Sequence, residues 1–140
     1  MSKSFYLLII GYFLLNIELY SMEKDSLLCK PLLDTISNKE YYFSVDSMPE
    51  FPGGINKLFE FFMANFNYPQ ESYVCCKIIV QFTVDTFGKM TEIKILRGLQ
   101  SDFDNETIRV FNMMPNWAPG KCKGIAVPVR MIIPINFNIQ

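Results

Sequence analysis

No histidine occurs among the 140 residues, and that one absence removes several chemistries together. Histidine is the side chain whose ordinary pKa lies closest to neutrality, a frequent metal ligand and the usual partner of a serine or cysteine nucleophile. Charge is scarce too: 19% of residues are charged, and 13 basic against 14 acidic residues leave a formal net charge of −1. No basic stripe is available to neutralise phosphates, so nucleic acid is not expected as a partner. Proline-rich, glycine/serine-rich and repeated tracts are missing, as is any apolar run approaching the ~20 residues of a membrane-spanning helix. What is present is apolar: 50% hydrophobic and 15% aromatic residues can build a core, and the length suits one domain.

The N-terminus has the pattern of an export signal. Met1 to Ser4 is a short start carrying Lys3, Phe5 to Leu15 is an apolar run of 11 residues, and Asn16 to Ser21 is more polar. Residues 1–21 are therefore read as a signal peptide or short N-terminal anchor. Residues 22–44, punctuated by Pro31, Ser37 and Asn38, read as a tether or loosely ordered arm, and residues 45–140 as the folded domain. The four cysteines are Cys29, Cys75, Cys76 and Cys122. They could form up to two bridges in an oxidising compartment, but buried free thiols are the preferred reading, and no CxxC pair suggests a metal. Cys75 and Cys76, as strand neighbours, point to opposite faces and should not pair with each other.

Within the domain, Met48-Pro49-Glu50-Phe51-Pro52-Gly53-Gly54 marks a turn before a helix. Apolar residues at 55, 58, 59, 62 and 66 follow the spacing of one helical face, and Tyr68-Pro69 closes it. Ile78, Val80, Phe82 and Val84 then alternate with polar residues, predicting a strand over Lys77 to Asp85. Gly88 supplies the positive φ of a hairpin turn, and the return strand, Met90 to Arg97, is expected to place Thr91, Ile93 and Ile95 on one face. Ser101 to Asp104 offers capping oxygens and first-turn charge for a second helix with Ile108, Phe111 and Met114 inward, ended by Pro115. A last strand is expected over Ala126 to Phe137, apolar at every odd position from Val127. The fold class is α+β: two helices packed on a small three-stranded antiparallel sheet.

Pro128 and Pro134 lie on this last strand with the same parity. A proline offers no N–H to a ladder and is tolerated at an edge but scarcely at a sheet centre. Because residues of one parity direct their backbone groups to one side, both missing donors fall on the same margin and the other margin can pair fully. Arg130 and Ile132, between the prolines, still present N–H and C=O groups on the open side. Such a window can accept an extended peptide as a further strand, or the prolines can simply blunt an edge against aggregation. Trp117 either caps the core or belongs to a binding surface. Asp102, Asp104 and Glu106 read as helix-start charges, and Lys121, Lys123 and Arg130 as a solvated positive patch or a steering surface. Gly53-Gly54 lacks the Lys-Ser/Thr of a phosphate loop. No nucleophile, base and oxyanion hole assemble, so an enzyme is not expected, nor any metal or cofactor.

The order helix, hairpin, helix, proline-bearing edge strand resembles the TonB C-terminal domain family, in its Bacteroidetes form. The motifs that carry the resemblance are residues 48–54, Tyr68-Pro69, Val80-Gln81-Phe82-Thr83-Val84-Asp85 leading to Gly88, Leu96-Arg97-Gly98 and Phe103-Asp104. They continue through Met114-Pro115-Asn116-Trp117-Ala118-Pro119-Gly120 and Pro128-Val129-Arg130 into Pro134-Ile135-Asn136-Phe137. The resemblance implies a periplasmic domain that adds the N-terminal box peptide of an outer-membrane TonB-dependent receptor to its last strand, in support of energised uptake. It also implies possible homodimers by strand exchange. Carried over, the peptide-binding residues are Val127, Val129, Arg130, Met131, Ile132 and Ile133, with Tyr68, Pro69 and Trp117 close by. Two departures argue against direct contact with an inner-membrane motor: the apolar run is short and lacks histidine, and no long Pro-rich spacer precedes the domain. A periplasmic structural, assembly or self-associating module with the same fold is the alternative.

Overall fold

The computed structural model describes residues 28–69 and 75–138; the signal-peptide reading of residues 1–21 lies outside them. In chain order the elements are β1 (Leu32–Asp34), β2 (Lys39–Tyr41), α1 (Gly54–Asn65), β3 (Cys75–Val84), β4 (Met90–Arg97), α2 (Ser101–Met113), β5 (Lys121–Cys122), β6 (Ile125–Ala126) and β7 (Val129–Asn138). The main sheet is antiparallel with order β4-β3-β7. The expected α+β arrangement of two helices on a three-stranded sheet is therefore present, with two small hairpins added.

The alternation in β3 decides which face is the core. Ile78, Val80, Phe82 and Val84 all have 0% exposure, each stabilising by about 1.5–3 kcal/mol through burial. Over them lie the rings of Phe62, Phe66, Phe103, Phe111 and Phe137, with centroids mostly 5–6 Å apart in stacked, tilted and edge-on pairs. Asp85 organises the β3–β4 turn by accepting the N–H groups of Phe87 and Lys89, and Gly88 takes φ 83°. A Cβ on Gly88 would also stand 1.9 Å from the Trp117 carbonyl, so only glycine allows the close approach in which Trp117 N–H donates to Gly88 C=O.

The return strand departs from simple alternation. Thr83 faces Thr91 and Gln81 faces Lys94, so Glu92 and Ile93 together oppose Phe82. This is a β-bulge, and Glu92 takes the positive φ of 54° that it requires. The extra residue reverses the parity of the strand. Met90 packs on the core with Ile93 and Ile95, whereas Thr91, expected beside those isoleucines, pairs with Thr83 on the opposite face.

Helix α1 lies over β7, through Phe62 and Phe66 against Phe137, and α2 lies over β3 and β4. Leu58, Phe62 and Phe66 are buried as expected, but Ile55 and Phe59 remain 57% and 45% exposed. The reason is geometric: β7 is the last strand of the sheet, so one flank of the helix above it has nothing to cover it. The N-cap of α2 is Gln100, with no side-chain cap, so Ser101 already belongs to the helix. The Asp104 carboxylate instead accepts the Leu99 N–H at 3.0 Å. The inward residues of α2 are Phe103, Thr107, Val110 and Phe111, while Ile108 and Met114 are half-buried.

Two further corrections concern the ends of the domain. The last strand begins at Val129, not Ala126, because Lys121–Cys122 and Ile125–Ala126 form a separate hairpin. Lys123 (φ 50°) and Gly124 (φ 80°) make its two-residue turn. Residues 28–44, expected as a tether or loosely ordered arm, contain the β1–β2 hairpin, in which Leu32 faces Tyr41 and Asp34 faces Lys39. A Cys29–Cys122 disulfide fastens this arm, contrary to the preference for free thiols. The Cα atoms are 5.7 Å apart although 93 residues separate the two cysteines, a proximity no local pattern reveals. The side chains of Cys75 and Cys76 lie outside the described residues. Val45, Cys122 and Val129 form a small apolar cluster around the bridge.

Replacing both Cys29 and Cys122 by Ser is expected to lower unfolding free energy by about 2–5 kcal/mol, the usual worth of a long-loop bridge. Urea midpoints of the oxidised protein and the variant measure it; equal midpoints would contradict the fastening role. In the same assay Gly88→Ala is expected to cost about 2 kcal/mol or more, through backbone strain and the displaced Trp117 carbonyl.

Candidate functional site: the open margin of β7

Ten consecutive residue pairs join β7 to β3, from Cys75↔Asn138 to Val84↔Val129. That ladder uses one margin of β7. On the other, Tyr42 N–H donates to Pro128 C=O at 2.9 Å, and Arg130 N–H donates to Tyr42 C=O at 2.8 Å. These two bonds identify the even-numbered residues as the outward set, as the proline parity implies. Beyond Arg130, no strand among the described residues pairs on that margin. The C=O of Arg130, both groups of Ile132, the C=O of Pro134 and both groups of Asn136 are therefore presented outward, with a donor missing only at Pro134.

The core-facing side of this margin is apolar. Met131 and Ile133 are half-buried beneath Ile55 and Leu58 of α1, and with Pro49, Phe51 and Trp117 they line a pocket of about 110 Å³. No residue of β3 or β4 contributes to it, so the pocket flanks the edge strand and not the sheet centre. On the opposite face Ile132 is 51% exposed.

The sequence-derived residues are distributed unevenly around this margin. Val129 is fully buried in the small cluster with Val45 and Cys122, and Val127 precedes the strand, donating its N–H to Gly120 C=O. Trp117 is buried edge-on against Phe51 and Phe82 and forms part of the pocket wall. Tyr68 and Pro69 lie at the far end, where the Tyr68 ring packs against Phe66 and Phe137. Trp117 and Tyr68 thus belong to opposite ends of β7.

Arg130 is the largest difference from expectation. Its side chain is only 8% exposed and belongs to no solvated patch with Lys121 and Lys123. The guanidinium donates to Asp34 at 3.1 Å and to Glu92 at 2.9 Å, and its carbon lies 3.6 Å from the Tyr41 ring centroid. The β4 bulge brings Glu92 to this face, where it also accepts from the Thr83 hydroxyl and pairs with Lys39. Arg130 therefore contributes backbone to the margin while its side chain ties the arm to the back of the sheet. Sequence reasoning missed Asp34, Tyr41, Tyr42 and Glu92 as parts of this assembly. The one available signal was a charged residue inside an otherwise apolar run from Val127 to Ile135.

Electrostatics follow from these contacts. Hydrogen bonds from the Ile36 and Ser37 amides, then from Arg130, hold the Asp34 carboxyl down at about 2. Burial pushes Glu92 up, but donors on Arg130, Lys39 and Thr83 outweigh it and leave the carboxyl below its ordinary value. Glu106 is held at about 2, chiefly by Arg109, and its carboxylate accepts the Asn67 N–H just beyond α1. Among the described residues, no group of three or more acidic or cysteine side chains is placed to hold a metal ion.

A family model for the Gram-negative bacterial TonB protein C-terminal region matches residues 64–139, more than half of the chain. The chain belongs to the TonB C-terminal family. No curated protein and no solved structure matches it. The match runs from the end of α1 through the whole of β7, so the open margin lies inside the TonB-like region. The arm residues that touch this margin, Asp34, Tyr41 and Tyr42, lie outside it. No helix among the described residues is long and apolar enough to cross a membrane.

The lowered acid pKa values set a pH window for the arm. A carboxylate depressed in the folded state stabilises it fully above the ordinary carboxylate range of about 4 and ceases to do so as pH falls through the lowered value. The arm is therefore expected to stay docked at pH 5 and to loosen between about pH 4 and 2, as Asp34 takes up its proton, with the lowered Glu92 carboxyl adding to the loss in the same direction. Amide resonances of β1 and β2 followed during acid titration check this. Loosening above pH 5, with both carboxyls ionised, would contradict it.

Proposed function

We propose that this TonB-like domain is a non-catalytic peptide-binding module of the bacterial envelope. It receives the N-terminal box peptide of an outer-membrane TonB-dependent receptor as a further strand on β7, in support of energised nutrient uptake. The observation that carries the reading is the outward row of backbone groups at Ile132 and Asn136, beside an apolar pocket and within the TonB-like region. Main-chain bonds would supply attraction that tolerates many sequences, and the pocket would select an apolar side chain at one peptide position. Each bond is worth about 0.5–1.5 kcal/mol net, and association costs at least several kcal/mol, so the apolar anchor is needed for binding to be measurable.

Calorimetric titration of the oxidised protein with synthetic receptor box peptides tests this directly. Saturable binding is expected, and Ile132→Pro is expected to weaken it at least tenfold with little change in the urea midpoint. That substitution removes an outward N–H which no intramolecular bond uses. Retention of full affinity by Ile132→Pro would place the peptide elsewhere. Failure of every box peptide, together with a stable dimer in sedimentation, would favour the structural or self-associating module.

A further inference from the structure

The margin of β7 already carries an occupant at one end. Tyr42 bridges Val129 in parallel, using its own N–H and C=O just as an added strand would. A continuing parallel strand would next offer the N–H of Ser44 to Arg130 C=O and the C=O of Ser44 to Ile132 N–H. Neither bond forms. The Ser44 carbonyl instead accepts the Cys29 N–H at 2.9 Å, and Val45 turns into the apolar cluster with Cys122 and Val129. Cys29 is held there by its bridge to Cys122. The arm thus joins the margin for one residue and is then led off it.

We propose that the arm is a register stop: Tyr42, held in place by the Cys29–Cys122 bridge, prevents a partner strand from pairing below Ile132. The partner that fits is a short extended peptide spanning Ile132 to Asn136, with its end abutting Tyr42 and Phe43. This rests on the strand-addition reading above but makes a separate claim, since Cys29 and Tyr42, the arm side of the stop, lie outside the TonB-like region. Arg130 acts as a positioning residue: its N–H donates to Tyr42 C=O, while its side chain, paired with Asp34, holds the same arm. Cutting the bridge returns conformational freedom to the arm, leaving the two backbone bonds and the Arg130 contacts with Asp34 and Tyr41 to hold Tyr42 against that entropy.

Hydrogen exchange of the whole protein, without peptide, tests the stop by itself. In the oxidised protein the Arg130 amide is expected to exchange at least tenfold more slowly than the Ile132 amide. In Cys29→Ser/Cys122→Ser, or after reduction with dithiothreitol, the Arg130 amide is expected to approach the Ile132 rate while the Val129 amide, paired with β3, stays slow. Equal rates at Arg130 and Ile132 in the oxidised form would overturn the stop, as would an unchanged ratio after both treatments. A slow Val129 amide also shows that the variant has folded. A second measurement uses a receptor box peptide and the same peptide extended by three residues at either end. Extension toward Tyr42 is expected to change affinity less than twofold in the oxidised protein and to raise it about fivefold to tenfold in the variant, the worth of one or two added bonds. An equal gain in both forms would overturn the stop. If no peptide binds either form, the strand-addition reading fails, while the exchange ratio still decides the stop.

Discussion

A three-stranded sheet whose last strand is fully paired on one side must leave the other side to something else. Here that constraint falls on β7, and much of the surrounding structure is a response to it. Backbone N–H and C=O groups that find no partner are a standing invitation to another extended chain. The prolines at 128 and 134 remove two donors from the open margin and none from the ladder with β3. The Tyr42 bridge then satisfies its first stretch. What is left, around Ile132 and Asn136, is short enough to limit indiscriminate pairing and long enough to be recognised.

Arg130 links the two faces of this arrangement. Its backbone stands on the margin, while its side chain is buried on the back of the sheet between Asp34 and Glu92. A buried guanidinium is costly unless its donors are met, and here one partner comes from the arm and one from the β4 bulge. The bulge is thus no defect: without the extra residue Glu92 would not share a face with Thr83 and Arg130. The core is insulated from this polar assembly, since Ile78, Val80, Phe82 and Val84 face the helices on the other side.

The parts legible in the sequence were those governed by local periodicity. The alternation of β3, the Gly88 turn, the two helices and the shared parity of Pro128 and Pro134 all depend on neighbours within a few residues. Each reading failed where contacts distant in sequence took over. Thr91 changed face because a bulge is decided by what Glu92 meets across the sheet. Ile55 and Phe59 stayed exposed because helical spacing tells nothing of how wide a sheet lies beneath. The disulfide joins residues on either side of the whole helix and hairpin order, and Arg130 found its partner Asp34 in a segment that composition alone marked as a tether. The open margin was legible, because missing proline donors are written in the sequence; its partial occupancy by Tyr42 was not.

The central claim is that β7 accepts a foreign extended chain along its outward residues. Cross-strand nuclear Overhauser contacts in a complex with a receptor box peptide test it most directly. Strand addition predicts contacts from peptide backbone protons to the Ile132 and Asn136 amides, with the β3–β7 contacts preserved. Peptide contacts confined to β4 or to the exposed flank of α1, with Ile132 and Asn136 unchanged, would contradict it.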